Sequence, residues 1–489
     1  MSLQFHNQLS KSIQPFTPQV AGKVSLYTCG PTVYNYPHVG NWSGYVYWDI
    51  LVRTLRANNL DVTRVMNITD VGHLTGENEG DADQGEDKLE KGARREGKTA
   101  WEVAAFYTDD FMKGIERLNL IAPTHITKAT NFIEEQLSLV RTLKEKGFTY
   151  QIDDGIYFDT AKFPSYANFA DLDLEAQRAG ARVEFNPEKR NHSDFALWKF
   201  TPAGEKRDME WETPADLIDE GAERLGFPGW HLECSAMAMS LLGNTLDLHT
   251  GGIDHIPVHH TNEIAQSEAA TGVPFSHFWL HNNHLKVNGT KISKSLDNGF
   301  TLDDLEAKGY SPMDFRMFVL QGHYRSEGNF TFDNLDAAQN RLKNWRNTAA
   351  LRHQTHDRLR DDDEKSTDED SVSLYASSQA VVEALSNDLD TAAAFVIIDE
   401  AFSRIQGRKA EAIHQHALTS FLETIDETLG LQLIASTKDI SDDIKRLIIE
   451  RERARENKDW AASDLLRADI EKSGITIRDT AHGTIWEYA

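Results

Sequence analysis

KVSLYTCGPTVYNYPHVGNWSGYVYWDILVRTLRANNLDVTRVMNI, residues 23–68, decides the fold. Lys23-Val24-Ser25-Leu26-Tyr27 reads as a buried strand, and Gly30-Pro31 turns the chain. From about Asn41, the residues Trp42, Tyr45, Trp48, Ile50, Leu51 and Leu55 recur at helical spacing and predict an amphipathic helix. Asp61 to Ile68 predicts a second strand. Strand, loop, helix and strand in that order form the core of a doubly wound nucleotide-binding sheet.

Working outward, Gly76 to Asp87 is acidic and glycine-rich, which predicts a surface excursion. Helical patterns return over Thr99–Arg117 and Asn131–Lys146. From Phe148 to Phe227 the character changes to short strands such as Ile156-Tyr157-Phe158, with Asn, Pro and charge, as in an inserted domain. Sheet-like and helical patterns resume at Gly229. A helix-rich section starts near Asp333 and is interrupted over His353–Ser373, where Asp361-Asp362-Asp363-Glu364 reads as a solvated loop. A small terminal unit follows, with helices predicted over Asp442–Lys458 and Trp460–Ser473.

A chain of 489 residues exceeds one ordinary core and divides into about three or four domains. Its 40% hydrophobic and 26% charged residues are those of a soluble globular protein, and no apolar run approaches the roughly 18 residues that span a bilayer. Met1 to His6 has no signal-peptide pattern. Two cysteines rule out a disulfide framework and fit a reducing cytosol. The net charge of −26 argues against wholesale phosphate binding, unless charge is segregated. Lys445, Arg446, Arg451, Arg453 and Arg455 are the expected basic face.

Three motifs carry chemistry. Cys29 ends the first strand, and Cys234 lies in Gly229-Trp230-His231-Leu232-Glu233-Cys234, ahead of His259-His260-Thr261-Asn262-Glu263. Two thiolates, an imidazole and a carboxylate would complete one tetrahedral zinc shell; two unrelated core cysteines remain the alternative on these residues alone. His38-Val39-Gly40-Asn41 opens a helix, where free backbone amides and the helix dipole favour a phosphate. Lys291-Ile292-Ser293-Lys294-Ser295 places two cations that can clamp a triphosphate.

In this order the motifs resemble the class I aminoacyl-tRNA synthetases, whose signatures read His-Ile-Gly-His and Lys-Met-Ser-Lys-Ser. Within that class the chain is similar to cysteinyl-tRNA synthetases. The likeness runs through Tyr27–Tyr34, Asn67–Asp70, Lys189–Lys199, Gly229–Met237, His249–Asp254, His259–Glu263, Gly322–Ser326 and Asp479–Trp486. It implies an α/β architecture: a Rossmann-type doubly wound parallel sheet as catalytic domain with an inserted α+β domain, then a helical bundle and a small C-terminal domain. The expected segments are 1–147 and 229–296 for the two catalytic halves, 148–228 for the insertion, 297–340 for a stem-contact region, 341–436 for tRNA-binding helices and 437–489 for anticodon binding.

The resemblance further implies zinc at Cys29, Cys234, His259 and Glu263, and Mg²⁺ with ATP. ATP would be held by His38, Gly40, Asn41, Asp254, Lys291, Ser293 and Lys294, with His38, Lys291 and Lys294 acting on the phosphates. Trp230 and His249 would line the amino-acid pocket. The implied activity is ligation of L-cysteine to tRNA(Cys) by a cytoplasmic monomer with no membrane partner. Trp486 is a candidate base-stacking residue or, equally, the closure of a small core. Departures from the family pattern are Asn41 for a second histidine, Ile292 for methionine, Thr261 for a common glutamate, and a longer acidic stretch Gly72–Asp87 to which no role attaches. Two other readings are a ligase joining cysteine to an amino sugar, as in mycothiol-pathway relatives, and a non-catalytic paralogue binding zinc or nucleic acid.

Overall fold

The computed structural model describes residues 3–75, 86–173, 186–202, 204–219, 224–293, 296–354, 369–407, 413–480 and 483–488. Its centre is a five-stranded parallel sheet in the spatial order Ser276–Asn282, Leu246–Gly252, Lys23–Thr28, Asp61–Ile68, His125–Lys128. Chain order reverses between Lys23–Thr28 and Leu246–Gly252. In a doubly wound sheet that reversal opens a crevice at the carboxyl ends of the strands. Cys29 and Gly30 leave one of those ends, and Gly252 and Ile253 leave the other.

The helix predicted from about Asn41 spans Val39–Ala57, and it is not amphipathic in effect: Trp42 to Leu55 are buried throughout. One side lies on the parallel sheet. The other meets the helices Pro312–Leu320 and Gln415–Leu429. Its charged residues survive burial because they are paired. Asp49 accepts from Arg53 Nε at 2.7 Å, from Arg316 Nη2, and from the backbone N–H of Ile121 at 2.7 Å. Arg53 and Arg316 in turn donate to the last carbonyls of Gln415–Leu429, those of Asp426, Glu427 and Leu429. That helix stops at Gly430, in the left-handed region at φ 65°, where a Cβ would lie 2.6 Å from Arg316 Nη2. Glycine is required there both by backbone and by space.

Between Thr149 and Pro228 runs a second, antiparallel sheet, ordered Trp211–Glu212, Leu225–Pro228, Phe195–Phe200, Gly155–Phe158, Thr149–Ile152. It has its own apolar core around Ile156, Phe158, Leu197 and Trp198. The helix-rich section contains Phe332–Ala350, Glu369–Ser386, Thr391–Gln406 and Gln415–Leu429. The terminal unit packs Asp442–Glu456 and Trp460–Lys472 on the hairpin Ile475–Thr480/Gly483–Tyr488. Of the acidic excursion, only the ends are described: Leu74–Thr75 pairs with Glu86–Asp87. The run Asp361–Glu364 lies outside the described residues. No described helix is long and apolar enough to cross a membrane.

Candidate active site

Both cysteines arrive at the crevice from different elements. Cys29 follows the first sheet strand, and Cys234 sits on the helix Trp230–Leu242. With His259 they form a buried triad whose ligating atoms lie within 4.8 Å of one another. Glu263 belongs to a second group that shares Cys29 and adds His249 and His260. The two groups touch, because His259 Nε2 and His260 Nε2 stand 3.7 and 3.8 Å from Glu263 Oε2. The expected spacing of four between His259 and Glu263 therefore holds, although only Glu263 is in regular α-helix. Ile256–His260 is a wider π-type turn, which lets two successive histidines reach one cluster.

The chemistry of the donors suits a metal cation. Zinc bonds of about 2.0–2.3 Å set tetrahedral ligand atoms about 3.3–3.8 Å apart, so the triad needs only a small contraction. Glu263 Oε2 is buried without a hydrogen-bond partner, and burial pushes its carboxyl well above the usual range. Burial, then the neighbouring Cys234 thiol, pushes the Cys29 thiol up. Burial and the neighbouring imidazoles push His259 and His260 well down, so both are neutral and able to ligate. His259 Nδ1 is 3.0 Å from His231 Nδ1, which fixes the ring with Nε2 toward Glu263. A cation here would answer an orphaned carboxylate and two thiols at once.

His249 lies flat on Trp279 at 4.5 Å and reaches Glu263 Oε1 at 3.3 Å. Burial lowers its pKa to about 3. Trp230 packs against His259 at 4.4 Å and against His73 at 4.3 Å. His260, which sequence reasoning passed over, is 3.4 Å from Cys29 Sγ and 2.7 Å from His281. The doubled histidine at 259–260 was the available signal.

The two phosphate motifs also meet. His38 caps its helix: its Nδ1 accepts from Asn41 N at 3.3 Å, and Asn41 Oδ1 accepts from His38 N at 3.1 Å. Asn41 thus uses its carbonyl oxygen within the cap, where a histidine would stand in the family pattern. Ile292 rests on this corner, its Cδ1 2.8 Å from where a Cβ on Gly40 would sit. Asn298 holds the loop, accepting from Ser293 N at 2.9 Å and donating to Lys291 O at 3.2 Å. Asp254 is exposed at the end of Leu246–Gly252. Lys294 and Ser295 lie outside the described residues.

A family model described as "tRNA synthetases class I (C) catalytic domain" matches residues 15–340. A cysteine–tRNA ligase of Treponema denticola is 39% identical over 512 aligned positions that cover all of both chains. The chain belongs to the cysteine–tRNA ligase family. Another member of that family, from Burkholderia lata, is 39% identical over 99% of this chain and 96% of its own. Among solved structures, a Mycobacterium tuberculosis methionyl-tRNA synthetase with methionyl-adenylate aligns at TM-score 0.56 and 15% identity, over 87% of this chain and 93% of its own. A ternary complex of an Agrobacterium radiobacter leucyl-tRNA synthetase aligns at TM-score 0.60 and 11% identity, over 87% of each chain. Both likenesses speak to the class I fold alone.

A model described as "Cysteinyl-tRNA ligase anticodon binding domain" matches residues 437–486 of the cysteine–tRNA ligase chain. Here the structure decides between the two readings of Trp486 and removes Arg451 from the expected basic face. Trp486 is 1% exposed, in a core with Ile448, Ile470 and Ile477, and its backbone is clamped on both sides by Gln354. It cannot stack on a base. Trp460, at 57% exposure with Arg455 over its ring, is the exposed tryptophan of this unit. Of the cations expected on a basic face, Arg453 is exposed, Arg455 pairs with Asp479, and Arg451 is withdrawn from the surface. Arg451 is 1% exposed and grips Asp479 through both terminal nitrogens, Lys445 pairs with Asp439, and Arg446 pairs with Asp443. The pairing of buried Arg451 with Asp479 holds the helix Asp442–Glu456 to the hairpin.

Proposed function

We propose that the chain ligates L-cysteine to tRNA(Cys) through a cysteinyl adenylate, with zinc on Cys29, Cys234, His259 and Glu263 selecting the substrate sulfur. The convergence around Cys29 of a second thiol, a neutral imidazole and a carboxylate with one oxygen unpartnered, at the switch point of the sheet, carries the reading. Serine and cysteine are near-isosteres, which a shape-only pocket separates by about 1–3 kcal/mol. Zinc would favour a thiolate far more than an alcohol, because a free thiol already ionises near 8.5.

In the proposed first step the cysteine carboxylate attacks the α-phosphorus of ATP in line, and pyrophosphate leaves. His38, kept neutral by burial, donates to a phosphate oxygen from the helix start, while Gly40 lets the nucleotide approach the backbone. Asn41 supplies its amide N–H, Asp254 holds the ribose, and Lys291, Ser293 and Lys294 neutralise the phosphates together with Mg²⁺. Trp230 and His249 wall the amino-acid pocket. In the second step the 2′-hydroxyl of the terminal adenosine attacks the carbonyl of the adenylate, and AMP leaves. Segments 1–147 and 229–296 would form the catalytic domain and 148–228 the insertion. Segments 297–340, 341–436 and 437–489 would contact the tRNA, the ligase acting as a cytosolic monomer.

Cysteine-dependent ATP–pyrophosphate exchange, run beside serine, tests the reading. The wild type should exchange with cysteine and not with serine, and should then charge tRNA(Cys). Equal exchange with serine refutes the selection role of the cluster. Exchange without transfer to tRNA refutes the acceptor.

A further inference from the structure

The acidic excursion has a function at its base. We infer that His73 is a positioning residue, which fixes the Trp230 indole as one wall of the cysteine pocket. This rests on the reading of Trp230 as a pocket residue.

The geometry is close to parallel stacking: the His73 and Trp230 rings are 4.3 Å apart with 18° between their planes. Two hydrogen bonds hold the imidazole in that plane. Nε2 is 2.6 Å from Lys88 Nζ, and Nδ1 is 2.7 Å from Thr32 Oγ1. An ammonium can only donate, so Nε2 is the acceptor and Nδ1 carries the proton that goes to Thr32. One tautomer and one ring orientation result.

The backbone is fixed as firmly. His73 O accepts from Lys88 N at 3.0 Å, and the pairs Leu74 with Asp87 and Thr75 with Glu86 extend this into a short hairpin stem. Gly72 has φ 71°, and a Cβ there would lie 2.4 Å from Pro228 O. The chain therefore passes hard against the strand end that leads into Gly229 and Trp230. Asp87 closes the stem, capping the helix Lys88–Glu96 through Leu89 N at 2.7 Å and pairing with Arg207. Stem, glycine contact and cap all converge on the placement of one ring. Trp230 also packs on His259 at 4.4 Å, so the position of the indole is shared with a proposed zinc ligand. An indole without its stacking partner gains rotamer freedom beside the sulfur site.

The test uses full-length protein in the exchange assay, with zinc content measured on each variant. His73→Ala should raise the KM for cysteine about tenfold, with kcat, the KM for ATP and zinc content within about twofold of wild type. His73→Phe keeps the stack and loses both hydrogen bonds, and should stay within about threefold of wild type. A normal cysteine KM in His73→Ala overturns the inference, as does a parallel rise in the KM for ATP. Should His73→Ala be insoluble, His73→Phe decides alone: a tenfold loss there shows that the stack is not the determinant. A wild type without cysteine-dependent exchange would refute the functional reading instead, so the two failures are distinct.

Discussion

Two of the buried polar clusters in this molecule are built in opposite ways. Around Asp49, every charge has a partner: two guanidinium groups, a backbone N–H, and helix-end carbonyls that absorb the remaining donors. Burial pushes the Asp49 carboxyl up, yet Arg316 and Arg53 outweigh it and the group stays below the usual range. Around Cys29 the carboxylate of Glu263 keeps one oxygen unpartnered, the thiol is pushed up, and among the described residues no Lys or Arg pairs with either group. A satisfied cluster joins elements, here the sheet to the helical section. An unsatisfied one of the same burial reserves its donors for something that arrives from outside.

The sharpest way to break this contrast is Cys234→Ser. Cysteine-dependent exchange should fall more than about a hundredfold and bound zinc should be lost. A variant that keeps its zinc and its preference for cysteine over serine would erase the distinction. Next is Arg316→Met, which strips Asp49 of one partner in a dry site. We expect a loss of about 3 kcal/mol, read as a lowered urea midpoint, with zinc content intact in the folded fraction. If it costs less than Cys234→Ser does in stability, the Asp49 cluster is not the joint described.

Acid offers a milder probe on the partnered side. Hydrogen bonds from Arg451 hold Asp479 at about 2. Because the folded value lies below the unfolded one of about 3.8, its stabilisation is complete above that pH and is lost as the pH falls through about 2. Hydrogen exchange over residues 442–486, corrected for intrinsic rates, should show full protection at pH 5 and loss near pH 2. In Asp479→Asn the unit should already be less protected at pH 5. The smallest effect is expected from Asn41→Ala, which removes an exposed, partnered cap. It should cost about 1 kcal/mol in stability, with cysteine selectivity unchanged.

The sequence made the parallel sheet legible because its strands are short runs rich in Val, Leu, Ile and Tyr bounded by turn residues, as at Lys23–Thr28 and Asp61–Ile68. Trp230, His249 and the proposed zinc ligands Cys29, Cys234, His259 and Glu263 could be named in advance from the family likeness, and the structure gathers Cys29 with Cys234 and His259 in one group and with His249 and Glu263 in another. What one dimension concealed were tertiary partnerships. Hydrophobic spacing in Val39–Ala57 gives no hint that Asp49 and Arg53 face inward, because their partner Arg316 is hundreds of positions away. His260 was hidden because a regular helix would turn it from His259, whereas the π-type turn does not. Arg451 read as part of a nucleic-acid face because its acidic partner, Asp479, stands on a hairpin strand beyond the next helix. The excursion at 72–87 had no legible role, since the value of His73 depends on a tryptophan brought in by another strand.

Ile292 lying on Gly40 has a genetic consequence. A methyl group at position 40 would act as a wedge between the two phosphate motifs, and a shorter branch at position 292 would make room for it. Second-site suppression is therefore expected in one direction: Gly40→Ala should be partly rescued by Ile292→Val. Two signatures usually inherited as separate words are, at this seam, spelled together.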